Sequence, residues 1–154
     1  MLMNYKKAYD KASAICARQE QCVSMIRDKL VKWNVDSDDV SKIIERLIHE
    51  RFIDEKRFCT FYVRDKVKFN KWGRTKIRWQ LSRKGISANL INEALDSLPD
   101  EEFSDNLLSL LIQKKRQLKN DDYYKRKASL IRFAASRGFG FDEISKALDK
   151  VGID

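Results

Sequence analysis

The chain has 154 residues, 43% apolar and 36% charged, with a formal net charge of +9. That length can bury about two thirds of the unfolded surface, and the composition excludes a disordered polymer, while no apolar run, Leu110-Leu111-Ile112 included, approaches the ~18 residues of a bilayer span. The opening Met1-Leu2-Met3-Asn4-Tyr5-Lys6-Lys7 lacks the apolar core of a secretory signal, and one Pro with five Gly leaves little for a loop-rich or β-sandwich fold, so a soluble, basic, all-α protein is expected.

In chain order, long helices are predicted to begin near Lys6, Asp54 and Asp100. Between them, Val40, Ile43, Ile44, Leu47 and Ile48 recur at the spacing of one helical face. Ile77 and Leu81 form a shorter stripe, and Ile91, Ala94 and Leu95 another, with a break at Gly85. Phe103, Leu107, Leu110, Leu111 and Leu118 form the last. No segment alternates with a period of two.

These elements repeat. Ile77, Leu81, Gly85, Ile86, Ile91 and Leu95 align with Leu130, Ala134, Gly138, Phe139, Ile144 and Leu148 at a constant offset of 53. A shift of 51 upstream gives Ile26, Leu30, Asn34, Val35, Val40 and Ile44. Each copy reads as helix, tight turn, helix. Gly85 and Gly138 stand just past basic helix ends, where a left-handed residue closes a helix, and Asn34 fills that slot in the first copy. Asp36, Ser87 and Gly140 follow as N-caps. With one long helix before each pair, the chain divides into three three-helix repeats, 1–53, 54–98 and 99–154, with short links near 51–54 and 98–102. An elongated, curved, monomeric array is expected; the alternative is one compact helical domain with incidental repetition.

Cys16, Cys22 and Cys59 are odd in number and show no C-x-x-C spacing, which argues against a disulfide framework. With His49 they reach the number of a tetrahedral zinc site but not its spacing. They are expected to be small buried hydrophobes.

Charge is concentrated in the middle repeat. Residues 1–53 carry +2, residues 54–98 carry +6 and residues 99–154 carry +1; positions 56–84 hold eleven basic side chains and a single acid, Asp65. Phe58, Phe61, Tyr62, Phe69, Trp72 and Trp79 interleave with them. Helical spacing assigns Phe58, Phe61, Tyr62 and Trp79 to the core and leaves Trp72 as the exposed aromatic anchor. Such a strip suits a phosphate backbone with stacked bases, or equally the acidic surface of a protein partner. The candidate contacts are Arg64, Lys68, Lys71, Trp72, Arg74, Lys76, Arg78 and Arg83. No phosphate loop, H-E-x-x-H or G-x-S-x-G motif occurs, so no catalytic residue, cofactor or metal is expected and the chain reads as a binding protein, not an enzyme.

The run Arg51-Phe52-Ile53-Asp54-Glu55-Lys56-Arg57-Phe58, followed by Tyr62-Val63-Arg64, Trp72-Gly73-Arg74, Ile77-Arg78, Leu81 and Lys84-Gly85-Ile86, resembles the RecX family. The family pattern opens G-[FY]-[IL]-D-[DE]-x-x-[FY]-A and continues G-x-x-[RK]-I-x-x-x-L-x-x-K-G-[IV]. Arg51 replaces the opening glycine and Cys59 the alanine. The resemblance extends over essentially the whole chain. It implies three tandem three-helix repeats and a cytoplasmic regulator of DNA repair and recombination. Such a regulator binds the RecA filament and restrains its ATPase, coprotease and strand-exchange activities, without catalytic residues or cofactors. Single- or double-stranded DNA is the further partner to consider. The alternative reading is a basic helical nucleic-acid-binding protein with no recombinase partner.

Overall fold

The computed structural model describes residues 1–119 and 122–153. They form nine α-helices: α1 (Tyr5–Arg18), α2 (Val23–Lys32), α3 (Ser37–His49), α4 (Glu55–Asp65), α5 (Arg74–Arg83), α6 (Ala88–Asp96), α7 (Asp100–Gln117), α8 (Tyr123–Ser136) and α9 (Phe141–Val151). A π-helical turn, Lys66–Asn70, continues α4. Among the described residues there is no strand; Met3 and Val35 meet in an isolated parallel bridge. The all-α expectation holds, and α1, α4 and α7 begin within one residue of their predicted starts.

The repeated turn has one geometry in all three copies. Asn34, Gly85 and Gly138 have φ of 62°, 80° and 96°. In each turn the N–H of the next residue reaches back five positions: Val35 to the Leu30 carbonyl at 3.1 Å, Ile86 to Leu81 at 3.3 Å, Phe139 to Ala134 at 3.3 Å. The left-handed residues themselves donate to Val31, Ser82 and Ala135. This double bond satisfies the last carbonyls of the helix and turns the chain sharply into the next one. Asp36 then caps α3 through the Asp38 N–H, and Ser87 accepts from the Leu90 N–H. Gly140 has no side chain to offer, and its own N–H donates to Glu143 at 3.1 Å.

The chain packs as two compact units, Met1–Phe61 with Leu81–Ile91, and Tyr62–Gln80 with residues 92–154. In the first, Ala8, Ala12 and Cys16 of α1 meet Ile26 and Leu30 of α2 and Val40, Ile43, Ile44 and Leu47 of α3. Ile48, predicted on that same face, is 47% exposed: it sits at the margin of the stripe, in the last turn of α3. All three cysteines are buried free thiols. Burial pushes the Cys16 and Cys59 thiols up to about 11. Across the same unit, the Tyr9 hydroxyl donates to the Glu50 carboxylate at 3.0 Å, and Arg46 Nε donates to it at 2.6 Å while its guanidinium lies 3.7 Å above the Tyr9 ring.

In the second unit α7 runs against α8, α9 and the π-helical turn. Its predicted stripe of Phe103, Leu107, Leu110 and Leu111 is buried. Leu118 lies beyond the helix as its half-buried C-cap. Leu130 and Ala134 of α8 and Ile144, Ala147 and Leu148 of α9 complete this core.

Candidate binding surface

The basic strip is shaped by a break in helical geometry. After Asp65 the backbone widens into the π-helical turn, which ends on Lys71 at φ 54° with the Trp72 N–H bonded to the Lys66 carbonyl at 3.3 Å. Widening a turn diverts carbonyls from their usual partners, and the Asn106 amide of α7 donates to the Val67 carbonyl at 3.0 Å. The chain then enters α5 against the end of α8: the Gly73 N–H donates to the Arg137 carbonyl at 2.7 Å and the Thr75 N–H to the Gly138 carbonyl at 3.1 Å. A Cβ on Gly73 would collide with the Gly138 carbonyl, and one on Gly138 with Lys76. Donors at the start of one helix thereby satisfy acceptors at the end of another.

This seating divides the candidate residues into two groups. Four are held by the protein itself. Arg74 pairs with Asp100, approaches Glu143 at 3.9 Å and lies 4.0 Å from the centre of the Phe103 ring. Lys71 Nζ donates to Ser109 at 2.9 Å, and Lys76 Nζ to the Ser136 carbonyl at 3.3 Å. Trp72 is half-buried between two ammonium groups, Lys66 at 5.1 Å and Lys76 at 4.6 Å from its ring centre. It is therefore not the exposed ring that spacing suggested. Burial and the nearby Asp65 carboxylate raise the pKa of the Tyr62 phenol.

The other group faces outward. Arg64, Lys68 and Arg78 are exposed, and none forms an ion pair among the described residues. Arg78 makes one long hydrogen bond, 3.4 Å, to Asn92. Arg83, in the other compact unit, is exposed as well. The aromatic side chains beside the outward cations are Phe69, 70% exposed, and Trp79, 55% exposed. Of the rings expected in the core only Phe58 is fully buried; Tyr62 is half-buried and Phe61 is 46% exposed. Spacing misassigns Trp79 because α5 turns Ile77 and Leu81 inward as its buried hydrophobic side chains. Trp79 falls between those two positions in sequence but on the opposite side of the helix.

Two open clefts adjoin the surface within this unit. One, of about 650 Å³, has Arg64 and Lys68 on one wall and Glu102, Asp105 and Asn106 of α7 on the other. The second, about 340 Å³, lies around Arg74, Asp100, Glu143, Lys146 and Lys150. Both mix charge signs. Among the described residues no three His, Cys, Asp or Glu side chains converge as a metal site, and no helix is long and apolar enough to cross a membrane.

Three copies of a helix–turn–helix preceded by a longer helix, with cations gathered on the middle copy, define a tandem three-helix-repeat protein with a basic surface. The chain belongs to the RecX family. Residues 54–95 match the model of the RecX second three-helix domain, and residues 100–148 that of the third. It is 34% identical over 146 residues to the regulatory protein RecX of Chlorobium phaeobacteroides (strain BS1), covering 95% of this chain and 94% of that one. It is also 34% identical to the RecX of Clostridium botulinum (strain Eklund 17B / Type B) over 140 residues, 90% of this chain. Against Bacillus cytotoxicus RecX the identity is 30% over 95% of this chain. The chain spans only 65% and 54% of the lengths of the last two proteins. A crystal structure of RecX from Lactobacillus salivarius superposes with a TM-score of 0.84 at 24% identity over 97% of both chains. A second regulatory protein RecX structure gives 0.87 at 23% identity, over 94% of this chain and 73% of that one. At those identities the two structures speak for the fold.

Proposed function

We propose that the protein is a non-enzymatic regulator of DNA repair and recombination that binds the RecA recombinase filament and restrains its ATPase, coprotease and strand-exchange activities. The observation that carries this reading is the segregation of charge on a family fold: eleven cations and one acid lie between positions 56 and 84, on the repeat that matches the RecX second domain. A filament of protein on DNA offers acidic protein surface and phosphate at regular intervals. Several weak contacts from the repeats 1–53, 54–98 and 99–154 would reinforce one another on such a lattice through effective concentration.

The test is the RecA ATPase rate on single-stranded DNA with the protein titrated in, alongside a RecA pull-down after nuclease digestion. Inhibition at sub-saturating ratios, with capture surviving nuclease, is expected. An unchanged ATPase and no capture would favour the alternative, a basic helical nucleic-acid-binding protein without a recombinase partner.

A further inference from the structure

The hydrogen bonds that seat α5 on the end of α8 have a counterpart one repeat earlier. In the third repeat the turn after α8 offers the Arg137 and Gly138 carbonyls, and the Gly73 and Thr75 N–H groups take them at 2.7 Å and 3.1 Å. Lys84 stands 53 positions before Arg137, and Ser24 stands 51 before Thr75. The Ser24 hydroxyl donates to the Lys84 carbonyl at 2.7 Å. Each of these turns is therefore a seat for the start of the preceding repeat's middle helix, and each seam lies inside one compact unit. The carbonyls at a helix end lack intrahelical partners, so a seat is satisfied by whatever donor occupies it.

Repeat 1–53 carries the same seat with a different occupant. Asn34 is the counterpart of Gly138, and its carbonyl accepts from the Met3 N–H at 3.1 Å, the length of the Thr75–Gly138 bond. Met3 also pairs with Val35 in the parallel bridge, and its side chain packs, as does Trp33, against the core of the first unit. The Asn34 amide completes the contact by donating to the Met1 carbonyl at 2.9 Å. Gly85 and Gly138 hold the same left-handed conformation with no side chain to make such a bond.

We propose that Met1–Met3 is a strap that fills the docking seat of repeat 1–53 in place of a preceding repeat, and that Asn34 is its latch. Glycine would serve positive φ better than asparagine, so the turn alone does not account for Asn34; the bond to the Met1 carbonyl does. The strap closes the stacking face that a repeat without an upstream neighbour leaves open, and it covers Val35, which is only 8% exposed. The start of α8 in a second copy is not built to fill this seat. Arg126 stands there in the position of Gly73, with its guanidinium bonded to the Ile153 carbonyl. The strap acts in this way whether or not the protein binds RecA.

Amide hydrogen exchange followed by NMR tests the latch. Asn34→Gly and Asn34→Asp each keep a residue that accepts positive φ but remove the amide donor. In both, the Met3 amide should exchange about five-fold faster or more, while the Val35 amide, bonded across the turn to Leu30, stays protected as in wild type. Unchanged exchange at Met3, or an equal loss of protection at Val35, would overturn the latch. Thermal melts of Met3→Ala and Met3→Pro test the seat. Both variants lose the packed side chain and only Met3→Pro loses the N–H, so Met3→Pro should melt a few degrees below Met3→Ala. Equal melting temperatures would show that the seat needs no donor and would overturn the stand-in role. Because Met1–Met3 precedes α1 and Asn34 lies between α2 and α3, circular dichroism should show wild-type helix in all four variants.

Discussion

Single backbone positions carry much of this fold, and they fail in different ways. Arg51 has φ 62° and closes α3 as a glycine would, with the Phe52 N–H on the Leu47 carbonyl at 2.8 Å and the Arg51 N–H on Ile48 at 3.1 Å. An L-residue in that conformation costs roughly 1–2 kcal/mol, and glycine returns part of the gain through its freer unfolded chain. Arg51→Gly should therefore stabilise the protein by about 0.5–1 kcal/mol, raising Tm by a few degrees in a thermal melt. A lowered Tm would show that Arg51 is held by something other than the turn. Gly85 has positive φ but open space where a Cβ would stand, whereas Gly73 and Gly138 are crowded by backbone or a Cβ. Gly85→Asn should melt close to wild type, and Gly85→Val well below it, because a β-branched side chain tolerates positive φ poorly. Gly73→Ala should cost about 1–3 kcal/mol through overpacking. The buried thiols, with Cys16 and Cys59 near 11, should react with a thiol reagent at neutral pH only when the protein unfolds.

At the level of elements, the helices and their turns were legible because the forces that set them are local. Asn34, Gly85 and Gly138 announce positive φ, Asp36 and Ser87 announce caps, and the 53-residue offset repeats the whole signal. The π-helical turn was not legible. It is completed by Asn106 from 39 positions away, a partner that no local pattern reveals. The same contact network decided which tryptophan faces out. Trp72 is caught between Lys66 and Lys76 only because Gly73 seats α5 on the end of α8. Arg74 belongs to this network too. Opposite Asp100 and Glu143, Arg74→Glu would set three acids together, costing more than the ~1 kcal/mol of an exposed pair and less than the ~3–5 kcal/mol of a fully buried one. In the other unit, the Arg46 hydrogen bond, then that of Tyr9, holds the Glu50 carboxyl below its usual range. A lowered folded-state pKa contributes stability above the unfolded value of about 4.5 and loses it as pH falls through the folded value. The Tm difference between wild type and Glu50→Gln should accordingly be largest near neutrality and close as the solution is acidified. A difference independent of pH would assign Glu50 a packing role alone.

For the whole molecule the informative quantity is how its charge is distributed, since +6 of the net +9 falls in residues 54–98. Uneven charge of this kind is read most directly through salt. Each phosphate neutralised on a single strand contributes about −0.7 to the slope of log affinity against log salt. The sequence alone could not say which cations contribute, because eleven of them look alike along the chain. The structure separates Arg64, Lys68 and Arg78, which face solvent, from Lys71, Arg74 and Lys76, which bind the protein. Reversing the first three to Glu should flatten the slope by up to about 2, weaken filament binding at low salt, and leave the helical signal and Tm near wild type. Reversing Lys71, Arg74 and Lys76 should lower Tm first, so any binding loss there would track unfolding. Lys146→Glu with Lys150→Glu, in the near-neutral third repeat, should leave the slope within error. Titrations across a salt series, each paired with a thermal melt, distinguish these outcomes. A triple reversal of the outward cations that binds like wild type at every salt concentration would reduce the basic face to a solvated surface, and the search for the contact would move to repeats 1–53 and 99–154.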